Sequence, residues 1–122
     1  MLYPLSSNSW NKEEAAVFQQ VLEKGRFTMG ESVKEFELAF ARKFSASYAL
    51  MVSSGSMANL VALSSLFYKK DRPLKRGDEV IVPSISWATT YYPLQQFGLK
   101  LKFIDVELET LNMDVSYLEE AL

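Results

Sequence analysis

Three short, mostly apolar runs that alternate with helical segments constrain the fold more than any other feature of this sequence. The runs cover residues 48–52, 79–82 and 100–106, and each has the length of a buried strand. Two segments that predict helices, residues 57–68 and 87–97, lie between them. Strands that alternate with helices favour a parallel sheet with helices packed on its faces. We therefore predict an α/β fold with a mostly parallel sheet.

Helices are also predicted at both ends of the chain. Residues 12–24 form one, because Asn11 can cap its first turn and Gly25 can end it. A second helix, over residues 31–44, carries apolar residues at three- and four-residue spacing, which we assign to a core face: Val33, Phe36, Phe40 and Phe44. The segment 114–122 predicts a further amphipathic helix. That helix runs to Leu122 without a polar tail, so we expect the protein to continue beyond it.

Composition excludes several classes of function. The net charge of -2 provides no basic surplus for nucleic-acid phosphates or an anionic membrane, so neither is an expected partner. The sequence has no cysteine and no histidine, which excludes disulfides, thiolate zinc sites and histidine general bases within it. We predict no metal site. The first ten residues lack a charged region before an apolar run, and no run could span a bilayer, so we expect a cytoplasmic protein.

The segment 52–59 is the strongest candidate for ligand binding, because it places small residues at a helix start directly after a predicted strand. Free backbone N–H groups and the helix dipole favour a phosphate there. Gly55 permits a close backbone approach, and the hydroxyl of Ser56 can add a hydrogen bond. The alternative is an ordinary strand-to-helix turn in which Ser54 or Ser56 caps the helix.

A second candidate is the segment 83–90, which begins where the second predicted strand ends. Open α/β sheets bind ligands at the carboxyl ends of their strands, and Trp87 could stack there on a flat ring. The alternative is a tryptophan buried in a core or an interface. Asp105, at the end of the third predicted strand, is either a site carboxylate or the cap of the next turn. Together the two segments suit a ligand with a phosphate arm and a planar ring.

The sequence resembles the opening of the DegT/DnrJ/EryC1/StrS sugar aminotransferase family. The resemblance covers nearly the whole chain and is carried by these segments: 26–30, 33–37, 48–60, 77–83, Trp87 and 103–106. Within the family, the runs 27–31, 54–60 and 86–96 are most similar to the branch that removes a hydroxyl from C3 of a sugar.

The resemblance implies part of an aspartate-aminotransferase-like large domain of the type I pyridoxal phosphate (PLP) enzymes, a three-layer α/β/α arrangement. Residues 1–30 would be an N-terminal segment with the first helix, and residues 31–122 the first part of the cofactor domain. The cofactor phosphate would contact Gly55, Ser56 and Met57, and Trp87 would stack on the pyridine ring. The family usually has a small or hydroxyl residue at position 57, so Met57 would contribute only its backbone N–H.

The same resemblance implies substrate contacts and a reaction. The substrate side would include Thr28, Met29 and Gly30. The complete enzyme would use pyridoxal or pyridoxamine 5'-phosphate, with glutamate as amino donor, to remove the C3 hydroxyl of a nucleotide-linked 4-keto-6-deoxysugar in lipopolysaccharide O-antigen biosynthesis. It would form a homodimer. The catalytic residue, a lysine in aminotransferases and a histidine in the dehydratase branch, would lie beyond Leu122, so we expect no turnover from this chain alone.

Two other hypotheses remain open. A lysine at that position would make the protein a nucleotide-sugar aminotransferase. Alternatively, the chain is a non-catalytic α/β module for binding or dimerisation.

Overall fold

The computed structural model describes residue 4 and residues 6–122. The beginning of the N-terminal segment, where we predict no targeting signal, lies outside the described residues. The chain forms two compact units, one that ends at Met51 and one that begins at Val52. Among the helices of the described residues, none is both long enough and apolar enough to cross a membrane.

The first unit contains two helices, α1 (Lys12–Lys24) and α2 (Glu31–Lys43). The side chain of Asn11 accepts a hydrogen bond from the Glu13 N–H at 2.6 Å, and Glu14 accepts one from the Asn11 N–H at 2.8 Å. This capping box satisfies N–H groups that the helix itself leaves free. Gly25 ends α1 in the left-handed conformation, at φ 62°. Both helices confirm the sequence prediction.

The apolar stripe on α2 was predicted to be a core face, and in this structure that is wrong. Phe36 is 50% exposed and Phe44 is 65% exposed. The rings contact each other along the helix, with centroids 5.7 Å apart for Phe36 and Phe40 and 4.5 Å apart for Phe40 and Phe44. Only Ala41 is buried on α2. Periodicity identifies the apolar face of a helix, but it does not specify what covers that face.

The predicted strand over residues 48–52 is also wrong. The segment has no strand pairing among the described residues, and Tyr48 is 91% exposed. Its one hydrogen bond with a side chain is made by the Met51 N–H, which donates to the Glu37 carboxylate at 2.8 Å. A strand forms only where a neighbouring strand exchanges backbone hydrogen bonds with it, and the sequence of the segment alone does not reveal whether such a neighbour is present.

The second unit is built on a parallel pair of strands joined through a helix. Its elements in chain order are α3 (Gly55–Phe67), β1 (Glu79–Pro83), α4 (Ala88–Gln96), β2 (Lys100–Ile104) and α5 (Leu118–Ala121). Glu79 pairs with Lys100 and Pro83 with Ile104, so the two strands end at the same edge of the sheet. This βαβ unit confirms the predicted parallel pairing.

The core of the second unit lies between this sheet and its helices. Val82, Leu94 and Leu99 are buried there, and Leu63 and Phe67 from α3 pack against them. The C-terminal turns of α3 and α4 meet where Phe67 stacks on Phe97, with centroids 4.9 Å apart. Each buried aliphatic side chain contributes roughly 1.5–3 kcal/mol. The packing therefore fixes α4, and with it the segment that leads into α4, relative to the sheet.

Two boundaries differ from prediction. β2 stops at Ile104 rather than residue 106, because the chain turns at Asp105 and Val106 makes a single antiparallel bridge with Met113. The predicted C-terminal helix is shorter than expected: a 3-10 turn, Val115–Tyr117, precedes the four residues of α5. Asp114 caps that turn through the Ser116 N–H at 2.9 Å.

Candidate functional site

The start of α3 is an ordinary capped helix end with free donors beside the cap. Ser54 is the N-cap, and its hydroxyl oxygen accepts the Met57 N–H at 3.2 Å. In any α-helix the first-turn N–H groups have no intrahelical acceptor, so those of Gly55 and Ser56 are available to a ligand. The Met57 N–H reaches a ligand only by sharing its hydrogen with Ser54. Capping and phosphate binding, the two alternatives for this segment, therefore use different N–H groups and are compatible.

Gly55 occupies a position where this chain does not require glycine. Its φ lies outside the left-handed range, and a Cβ added there meets no heavy atom within 4 Å. Open space next to two free N–H groups is the room that a phosphate group needs. The residues present therefore fit a phosphate arm.

Trp87 lies at the N-cap of α4, where its side chain makes no capping hydrogen bond. The residue is 75% exposed, so it is not a core residue of the second unit. An exposed indole at the carboxyl edge of a parallel sheet is accessible to a flat ring. The exposure excludes a place in the core of the second unit, whereas ring stacking and an interface contact both fit an exposed indole.

The carboxyl ends of β1 and β2 are tied together by Ser84 and Asp105. The Ser84 N–H donates to the Ile104 carbonyl at 2.7 Å, and its hydroxyl donates to the Asp105 carboxylate at 2.9 Å. The same carboxylate oxygen accepts the Val106 N–H at 2.8 Å. Asp105 therefore caps the turn after β2, which was the more conservative of its two interpretations.

These hydrogen bonds also determine the titration of Asp105. The Val106 N–H lowers its pKa from the usual 3.8, the Ser84 hydroxyl adds to the lowering, and desolvation opposes both. A carboxyl with a lowered pKa remains an acceptor at neutral pH and cannot act there as a general acid.

Thr28, Met29 and Gly30 connect α1 to α2 in the first unit. Met29 has a positive φ of 32°, and Gly30 is the N-cap of α2. The Arg26 side chain lies over Gly30, with its Cγ and Cδ 3.5 Å from the position of an added Cβ. Thr28 and Gly30, together with Arg26, line a concavity of about 400 Å³, whereas Met29 is not part of its lining. Their predicted role on the substrate side stays a prediction.

Sequence reasoning missed the role of Tyr91. Its hydroxyl donates to the Pro83 carbonyl at 2.7 Å, which links α4 back to the end of β1. Spacing could not reveal this contact, because the adjacent Tyr92 looks identical in the sequence and is 57% exposed. Across the part of the chain that the structure describes, no group of three or more acidic side chains is arranged to hold a metal ion.

Comparison with known proteins identifies the family. The family model for the DegT/DnrJ/EryC1/StrS aminotransferases matches residues 8–122, and the chain belongs to this family. The match includes the start of α3, Trp87 and the connection between α1 and α2.

The relatives share both sequence and fold with this chain. It is 53% identical over 120 residues to GDP-4-keto-6-deoxy-D-mannose 3-dehydratase of Escherichia coli O55:H7, which covers 98% of this chain and 31% of that enzyme. A crystal structure of GDP-4-keto-6-deoxymannose-3-dehydratase with a trapped PLP-glutamate geminal diamine superposes with a TM-score of 0.92, at 53% identity and the same coverage. A variant of that enzyme with bound GDP-perosamine gives the same TM-score, identity and coverage.

These comparisons confirm the predicted fold class, since the chain forms part of the PLP-dependent aminotransferase fold, with a parallel sheet. The chain spans about a third of the length of the relative it matches.

Proposed function

We propose that the whole protein is a PLP- or PMP-dependent enzyme that removes the C3 hydroxyl of a nucleotide-linked 4-keto-6-deoxysugar. The observation that carries the proposal is the 53% identity to a GDP-4-keto-6-deoxy-D-mannose 3-dehydratase over 98% of this chain, because an alignment of that extent includes both candidate segments. The open space at Gly55 and the exposed indole of Trp87 support the cofactor part of the proposal independently of any relative, because they fit a phosphate arm and a flat ring.

In this proposal the chain binds and orients the cofactor but does not carry the proton-transfer residue. The N–H groups of Gly55 and Ser56 and the Ser56 hydroxyl hold the phosphate, with the Met57 N–H shared between the phosphate and Ser54. Trp87 lies against one face of the pyridine ring and excludes water from it. When bound, the cofactor supplies a conjugated ring that accepts the electron pair released at the substrate carbon.

The remaining assignments belong to the same proposal. The substrate is a GDP-linked sugar, since the relative's structure holds GDP-perosamine, and Thr28, Met29 and Gly30 lie on its side of the site. Glutamate is the amino donor, in keeping with the trapped PLP-glutamate species of the relative. We further propose a cytoplasmic homodimer that acts in O-antigen biosynthesis, with residues 1–30 as the N-terminal segment and residues 31–122 as the first part of the cofactor domain.

The second candidate function is nucleotide-sugar transamination, which the family description favours. The two functions differ in one residue outside this chain, because a lysine bonds covalently to the cofactor aldehyde and a histidine does not. The discriminating experiment adds PLP to the whole protein, reduces it with borohydride and measures the intact mass.

A mass increase of one reduced cofactor would overturn the dehydratase proposal in favour of the aminotransferase. No adduct, with PLP binding shown separately by absorbance, is the expected result. A whole protein that binds no PLP at all would leave the non-catalytic module as the better description.

A further inference from the structure

We propose that Tyr91 is a positioning residue for Trp87. Its hydroxyl holds the carbonyl that ends β1 and thereby fixes the path of the segment that carries the indole. The proposal rests on the proposed function, in which Trp87 lies against the cofactor ring.

Tyr91 is itself held from two sides. Its hydroxyl donates to the Pro83 carbonyl at 2.7 Å, and the residue is partly buried. Its ring meets Phe103 of β2 edge to face, with centroids 5.5 Å apart and an interplanar angle of 64°. A donor on a ring fixed by a neighbouring strand loses little freedom when it binds, so this hydrogen bond keeps most of its strength.

The segment between Pro83 and α4 depends on hydrogen bonds rather than on packing. Ile85 is 69% exposed and Trp87 is 75% exposed, so neither side chain is anchored by burial. The Ser84 hydroxyl is tied to Asp105 at 2.9 Å. At the other end, the Thr90 N–H donates to the Trp87 carbonyl at 2.9 Å.

Tyr91 connects these two ends. It lies four residues after Trp87, in the first turn of α4, and its hydroxyl reaches back to the residue where the segment begins. The segment is thus closed into a small loop by the hydrogen bond from Tyr91, in the first turn of α4, to the carbonyl at the end of β1. Removal of the hydroxyl leaves the helix and the ring in place but frees the Pro83 carbonyl, and the indole then samples more orientations.

The test compares Tyr91→Phe with Tyr92→Phe in the whole protein. The adjacent Tyr92 is exposed and is the matched control, since the same atom is removed. Both variants are made in a Trp10→Phe background, which leaves Trp87 as the only tryptophan of this chain. Any tryptophan in the rest of the protein is replaced by phenylalanine in the same way.

Two measurements are made on each variant. The steady-state fluorescence anisotropy of Trp87, without added cofactor, is expected to fall for Tyr91→Phe, because the indole samples more orientations, and to stay unchanged for Tyr92→Phe. The dissociation constant for PLP, measured by absorbance, is expected to rise about fivefold for Tyr91→Phe, the effect of one hydrogen bond.

A double-mutant cycle separates positioning from a general loss of structure. If Tyr91 acts through Trp87, the fivefold effect disappears in a Trp87→Ala background. An effect of the same size in that background would overturn the proposal, as would an unchanged anisotropy of Trp87 in Tyr91→Phe. If the parent protein bound no PLP, the proposed function would fail, and the anisotropy result would still decide whether Tyr91 holds Trp87.

Discussion

Replacement of Gly55 by alanine is expected to separate ligand binding from folding. The added methyl group meets no atom of the chain within 4 Å, and the backbone there is not in the left-handed region. Stability should therefore hold or rise by about 0.4–1 kcal/mol, because alanine has less conformational freedom to lose than glycine. In the proposed binding mode, however, the methyl group occupies the space through which the phosphate reaches the first-turn N–H groups of α3.

The expected loss of binding follows from the hydrogen bonds that are displaced. A hydrogen bond to a charged group contributes about 1.5–3 kcal/mol, so the loss of one corresponds to roughly a 10- to 150-fold rise in the dissociation constant for PLP. The assay is an absorbance titration of the whole protein with PLP, paired with thermal unfolding of the same samples.

Gly25→Ala is a control for which the opposite result is expected, a loss of stability without a loss of PLP affinity. Gly25 has a φ of 62° and also has open space around an added Cβ, so alanine there meets no clash but adopts a disfavoured backbone. It should cost about 1–2 kcal/mol of stability and leave the affinity for PLP unchanged. Should Gly55→Ala bind PLP as tightly as the parent, the assignment of the phosphate to this turn would be refuted.

Two further predictions concern local hydrogen bonds. Ser84→Ala should raise the pKa of the Asp105 carboxyl, measured by its carbon chemical shift during an NMR titration, because the Ser84 hydroxyl stabilises the ionised form. Because the pKa of Asp105 is lower in the folded state, its carboxylate stabilises the fold at any pH above the unfolded pKa near 3.8, and this stabilisation is lost as the pH falls through the folded pKa. An Asp105 pKa that did not change in Ser84→Ala would contradict this account. Asn11→Ala should lower the free energy of unfolding by about 1 kcal/mol, because the capping box of α1 loses its acceptor for the Glu13 N–H. Asn8→Ala removes an acceptor for the Trp10 N–H outside the helix and should cost less, so equal effects of the two changes on thermal unfolding would argue against the cap.

Local chemistry explains why some elements could be predicted from the sequence. The limits of α1 follow from Asn11 and Gly25, whose side chain and backbone preferences act within a few residues. The β1–α4–β2 unit follows from short apolar runs separated by a helix, and its buried residue Val82 lies within the predicted strand. The turn after β1 could be predicted from its small residues, and its tryptophan made it a candidate for ligand binding.

The failures share a different cause. Residues 48–52 have the composition of a strand, and the apolar stripe of α2 has the periodicity of a buried face. A strand needs a second strand to pair with, and a buried face needs another element to pack against, and neither can be identified from the segment itself. The contact between Tyr91 and Pro83 depends on the angle at which α4 packs on the sheet. Side-chain identity cannot report that angle, so the difference between Tyr91 and Tyr92 became visible only in the structure.

The pairing of β1 with β2 has a consequence for how the protein is made. Glu79 pairs with Lys100 and Pro83 with Ile104, so only the α4 crossover separates the paired residues, and the unit can close as soon as β2 leaves the ribosome. The βαβ unit that carries Trp87 can therefore form early in synthesis, at a stage when the outer edges of both strands and the apolar stripe of α2 are uncovered. Nascent chains paused soon after β2 should accordingly be the ones that chaperones bind most strongly.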